Sequence, residues 1–220
     1  MQFNIEKLTI GLLAAVILVI GLNTFQMSQM KMNANPIAGN AVAESKPTAN
    51  IVGNIEAGNI DFELDIIPKG MPAIYGKELG VSYDDVSPSN QQKADSTISR
   101  LGALDQQITL SGEDLKRYIA VASQISCEYC CGVDSIIFSD GKAACGCEHS
   151  FAMRGLAKYL IKNHGSEYTN DAILEELGKW KTLFFPGPIT KKAQVLKAKG
   201  VELNYINLAS NKYRGAENGN

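Results

Sequence analysis

Five cysteines and one histidine crowd into one short stretch of this chain: Cys127, Cys130, Cys131, Cys145, Cys147 and His149. Thiolates and imidazoles are ligands for soft and borderline metal ions. The order is Cys127-x2-Cys130-Cys131, an intervening segment, then Cys145-x-Cys147-x-His149. Thiolates separated by two residues can aim at one ion from a tight turn, and Gly132 lets the chain leave that turn. A tetrahedral ion needs four such groups, and this stretch offers more than four. Zinc and Cu(I) suit the sulfur-rich set best, and an iron–sulfur cluster is also open to it. A disulfide framework would scatter its cysteines along the chain and use an even number. Here the 5 cysteines are clustered. Thiol–disulfide redox chemistry through Cys127 and Cys130, or through Cys145 and Cys147, stays open as the competing reading. Cys131 follows Cys130 directly. Its side chain is expected to diverge, leaving it to a second ion or as a spare thiol.

The elements that must position these residues can be read around them. Ser111, followed by Asp114, opens a helix whose inner face carries Leu115, Ile119 and Ala122, and this helix delivers the chain to Cys127. Ser135 to Phe138, then Ser139-Asp140-Gly141-Lys142, read as a β-hairpin, because Asp-Gly is a strong turn signal. From Ser150 a helix is expected to about Lys162, capped near Gly165. Cys145, Cys147 and His149 thus sit at a helix start, where backbone N–H groups favour thiolates. Knuckle, hairpin and helix together resemble a treble-clef zinc module. A further helix is expected after Thr169 until Pro186 interrupts the pattern, and another over about residues 191–199. Strands are expected near Ile60 to Ile66, where apolar residues alternate, at residues 107–110 and at residues 201–208. The expected fold class is α+β.

Organisation follows from composition. Leu8 to Leu22 carries no charge, and residues 5–27 are long enough for an N-terminal membrane anchor. A cleaved signal segment is the rival, but the nearest small-residue site, Ala41-Val42-Ala43, lies far beyond the apolar run. The expected domains are an anchor at 1–27, a flexible linker at 28–58, a soluble domain at 59–210 with the cysteine cluster at 127–149, and a polar tail at 211–220. Lys7 before the apolar run places the domain on the extracytoplasmic side of the cell membrane. Lys and Arg number 21 against 23 Asp and Glu, which speaks against a nucleic-acid surface. Walker, Rossmann, HExxH and GxSxG patterns are absent, so the common chemistries they serve find no support. Met27, Met30 and Met32 would suit Cu(I), though amphipathic filler near a membrane accounts for them better. His164 reads as a helix-end residue and not a ligand.

Two stretches carry a family resemblance: Ser126-Cys127-Glu128-Tyr129-Cys130-Cys131-Gly132, and Ala144-Cys145-Gly146-Cys147-Glu148-His149-Ser150 with Ala152-Met153-Arg154-Gly155 after it. They resemble an uncharacterised family of single-anchor prokaryotic membrane proteins with a CxxCC…CxCxH motif, over about residues 72–186. A weaker similarity links the segment to extracytoplasmic proteins with a PCYCGC motif, although the PCY lead-in is missing here. The resemblance implies a membrane-anchored protein and no particular activity. The reading that results is an extracytoplasmic protein that binds a soft metal ion for capture or transfer. The alternatives are a thiol–disulfide oxidoreductase or an interaction domain with a structural metal.

Overall fold

A computed structural model describes residues 66–219. The anchor expected at 5–27, the linker and most of the first strand lie outside the described residues. No helix among the described residues is long and apolar enough to cross a membrane.

Seven α-helices are found in the described residues: α1 Gly76–Leu79, α2 Gln91–Gln107, α3 Gly112–Ala122, α4 Glu148–His164, α5 Asn170–Phe184, α6 Pro186–Ala198 and α7 Tyr205–Ala209. This corrects the α+β expectation. Pairing among the described residues is confined to two isolated β-bridges, Ile125 with Ser210 and Ile137 with Ala143. The Asp140-Gly141 turn does form, with Phe138 N–H donating to Lys142 O at 2.8 Å. It does not propagate into a ladder, so the treble-clef-like hairpin is reduced to one bridged turn. The last expected strand fails for a different reason. Tyr205, Leu208 and Ala209 stand at helical spacing, and the Asn204 side chain caps the turn by accepting from Asn207 N–H. The alternation at Val201 and Leu203 packs as an irregular segment on the second core.

The helix starts are well encoded. Thr169 accepts from Ala172 N–H at α5, and Asn90 accepts from Lys93 N–H at α2. Pro186 does more than interrupt α5. It occupies the first position of α6, where a missing N–H costs nothing. Ser111 is the N-cap of α3 but its side chain makes no capping bond.

Helices α2 and α4 form the closest pair. Gly155, in the middle of α4, has no Cβ, and a Cβ there would stand 2.1 Å from Leu101 O. The absence of a side chain therefore lets the two backbones approach. The main core lies around this pair and includes Leu101, Met153, Leu156, Leu160, Leu177 and Trp180, with Cys127 and Cys145 at one end. A second core, with Ile189, Ala193, Leu196 and Leu208, gathers around α6 and α7. Residues 211–219, expected as a polar tail, carry two short 3-10 turns and bury Ala216 in the second core. The chain from Cys127 to Tyr129 passes between the two cores: Cys127 belongs to the first and Tyr129 packs on the second.

Candidate metal centre

The segment after α3 enters a tight turn at Cys127. Its carbonyl accepts from the N–H groups of Cys130, Cys131 and Gly132 at 3.3, 3.0 and 3.2 Å. This winding places Cys127, Cys130 and Cys131 at i, i+3 and i+4 of a helix-like turn, which share one face. Adjacent Cys130 and Cys131 therefore need not diverge from the site, as the sequence expectation had them. The Sγ atoms of Cys127, Cys130, Cys131 and Cys147 all lie within 4.8 Å of one another. Cys127 is fully buried, Cys147 is half-buried, and Cys130 and Cys131 are exposed.

Cys147 arrives from the other side as the N-cap of α4. Its Sγ accepts from Ser150 N–H at 3.4 Å and lies 3.5 Å from Ser150 Oγ. It also stands 3.2 Å from Cys127 Sγ. Hydrogen bonding from Cys127, and then from His149 and Ser150, holds the Cys147 thiol far below its ordinary range. The same contact, with burial, pushes Cys127 up.

A tetrahedral ion with metal–sulfur bonds of about 2.3 Å holds its sulfurs about 3.8 Å apart. The sulfurs here, from 3.2 Å for the closest hydrogen-bonded pair to within 4.8 Å for the set, bracket that spacing. With all four sulfurs as thiolates, this set is compatible with a soft ion in size and chemistry.

The remaining two expected site residues are placed differently. Cys145 is buried and forms a disulfide with Cys131. His149 lies outside the group of converging sulfurs. Its ring packs against Phe184 and Phe185, with centroids 4.9 and 4.8 Å away. Its Nδ1 is buried without a hydrogen-bond partner.

Several residues that fix the site were not singled out from the sequence. Glu128 lies inside the cysteine turn. Its Oε1 accepts from Lys181 of α5 at 3.0 Å and from Lys192 of α6 at 2.9 Å. Both lysine side chains are fully buried. Burial would raise the Glu128 carboxyl, but the two lysines outweigh it and hold it below the usual carboxylate range. Burial pushes Lys181 down to about 8, although Glu128 opposes it. The two lysines thus neutralise the carboxylate of the turn from beneath. On the Cys145 side of the site, Arg154 of α4 donates to Cys145 O at 2.8 Å and Ile136 O at 3.3 Å, while its Nε donates to Asp105 at 2.8 Å. A nearly fully buried Arg154 therefore fastens the turn that carries Cys145 to α2 and α4. A signal for these residues existed. Lys181 falls in register with Leu174 and Leu177, and Arg154 with Ala157 and Ile161, so each places a charge on an apolar helix face.

Comparison with protein-family models, curated proteins and solved structures gives no match.

Proposed function

We propose that this protein binds a soft metal ion, zinc or Cu(I), through the cysteine cluster and captures or passes it on. The observation that carries this reading is the convergence of the Cys127, Cys130, Cys131 and Cys147 sulfurs within 4.8 Å. The site combines a buried anchor, Cys127, with two exposed cysteines, so an ion could be reached from solvent. That asymmetry suits capture and transfer better than a closed structural site. The setting belongs to the same proposal. The uncharged Leu8 to Leu22 run supports membrane attachment through residues 5–27. The Cys131–Cys145 disulfide fits an oxidising compartment, as the extracytoplasmic side would be. The motif likeness to single-anchor prokaryotic proteins points the same way.

One observation favours a second reading. A disulfide lies beside three free thiols, which is the arrangement thiol–disulfide exchange requires. Elemental analysis of the protein purified anaerobically without added metal, with thiol counting, separates the two. Stoichiometric zinc or copper supports the metal reading. A protein that titrates reversibly with two electrons and binds no zinc or copper in either its disulfide or its reduced state overturns it in favour of exchange.

A further inference from the structure

Cys131 has two sets of sulfur neighbours. It is bonded to Cys145, and its Sγ also lies within 4.8 Å of those of Cys127, Cys130 and Cys147. It cannot serve both, because the metal ligand is the thiolate and a disulfide sulfur is not one. We propose that the Cys131–Cys145 disulfide is a redox gate on the metal centre, which has three thiols when the gate is closed and four when it is open. The inference rests on the metal reading above and names the regulation of that site.

The two ends of the disulfide are placed unequally. Cys131 is exposed, on a turn that leaves through Gly132 at φ 69°. Cys145 is buried in the main core, and its carbonyl is held by Arg154. An incoming reductant therefore meets Cys131 first. Once the bond opens, Cys145 stays fixed in the core while Cys131 is left beside the other three sulfurs. Arg154 and Asp105 thus keep the gate post in place, and the exposed turn carries the moving ligand.

The reductant class is a dithiol, either a small molecule or a dithiol protein. One of its thiolates attacks Cys131 Sγ, the S–S bond breaks, and Cys145 leaves as a thiolate that takes up a proton. The second reductant sulfur then displaces Cys131 and closes the reductant's own disulfide. The reductant loses two electrons and two protons, and the protein gains them. When an ion binds, the Cys131 proton passes to solvent and its thiolate becomes the fourth ligand. Zinc, which takes four ligands in tetrahedral sites, is the ion most affected by the change. Exchange with a disulfide oxidant runs the same steps backward and withdraws that ligand.

The test is zinc titration of the full chain against a chromophoric chelator, under anaerobic conditions. Zinc alone is the probe. The chain is measured with the disulfide intact, verified by mass after alkylation of the free thiols, and again after dithiothreitol treatment and removal of the reductant. Reduction is expected to raise zinc affinity about 100-fold, since even outer partners of metal ligands are worth 10–100-fold. Cys145→Ser should bind at the high affinity without any reductant, and Cys145→Ala supplies the same readout with an apolar replacement in the core. Cys131→Ser should stay at the low affinity in both conditions. Equal zinc affinity in the two states of the wild-type chain overturns the gate and leaves the metal reading standing. So does a Cys145 variant no tighter than the disulfide form. Zinc binding in neither state overturns both.

Discussion

Glu128 Oε1 stands 3.0 Å from the ammonium of Lys181, whose side chain has no exposed surface. A carboxylate from inside the cysteine turn thus neutralises a lysine from the last turn of α5. Lys192 of α6 adds a second bond to the same oxygen. The turn carrying Cys127, Cys130 and Cys131 is thereby fixed to both helices by charge. Removing one partner of a buried pair leaves the other uncompensated, at a cost of about 3–5 kcal/mol. Glu128→Gln leaves Lys181 without a carboxylate and Lys192 with only its 3.6 Å ion pair to Glu217, and should lose about that much in urea denaturation followed by circular dichroism. Lys181→Met should lose less, because Lys192 still pairs with Glu128. Equal stability of Glu128→Gln and the wild-type chain would show that the ion pair does not hold the turn.

Ligands and neighbours should separate in metal binding. Cys127 and Cys147 contribute sulfurs from opposite sides of the site, 3.2 Å apart. Replacing either with serine in the reduced chain should weaken zinc binding about 100-fold or more, beyond the 10–100-fold expected of outer partners. His149→Ala should stay within that outer range, because its ring lies against Phe184 and Phe185 and outside the sulfur group. Chelator competition measures all three. A His149→Ala loss as large as that of Cys147→Ser would make His149 a ligand.

Much of this arrangement was legible in the sequence, and what was not has physical causes. Helices α4 and α5 followed from apolar spacing and caps, with the starts near Ser150 and after Thr169 read to within a few residues. The clustering of the cysteines was legible because proximity in sequence largely guarantees proximity in space. The strands were overcounted because short alternating runs such as Val201 to Leu208 also satisfy helical spacing at their far end. The placement of Cys131 was misjudged because divergence of consecutive side chains holds along extended backbone, whereas this turn winds its N–H groups onto one carbonyl. Its bond to Cys145 was invisible, since spacing alone cannot fix a pairing. The partners of Glu128 were hidden because Lys181 and Lys192 are distant in sequence, and only the tertiary fold brings them under the turn.

Gly155 offers a packing test remote from the cysteines. A methyl group there would meet Leu101 O at 2.1 Å and Asp105 N at 2.9 Å, both backbone atoms that cannot swing aside. Gly155→Ala should therefore force α2 and α4 apart and cost at least about 1–3 kcal/mol, the usual range for overpacking. Gly146, between Cys145 and Cys147, has nothing within 4 Å of where its Cβ would stand. Gly146→Ala should stay within about 0.5 kcal/mol of wild type, as surface changes generally do. Denaturant midpoints for the two variants make the comparison, and a similar loss in both would remove the close approach as its explanation.

The C-terminal end of α4 should make stability depend on pH. His164 is buried there, with Nδ1 2.6 Å from Glu167 and Nε2 3.0 Å from Glu78. Burial disfavours the imidazolium, but Glu167 and Glu78 outweigh it, and the His164 pKa is raised above its ordinary 6.5. The folded state therefore holds the proton more tightly than the unfolded chain. By linkage, this contribution is fully present below about pH 6.5 and is lost as pH rises through the folded value. The other titratable groups facing the ring are Glu78, Glu167 and Tyr159. Glu78 is held below the usual carboxylate range by its bonds to Tyr159 and His164, so it titrates on the acid side of the window. Tyr159 is pushed up to about 12, chiefly by burial, and titrates on the alkaline side. His164→Gln keeps a polar side chain but cannot take the charge. The stability difference between wild type and His164→Gln should thus be larger at pH 6 than at pH 9, measured by urea denaturation at each pH. A difference that grows toward pH 9 would mean that the neutral imidazole is the form the fold prefers.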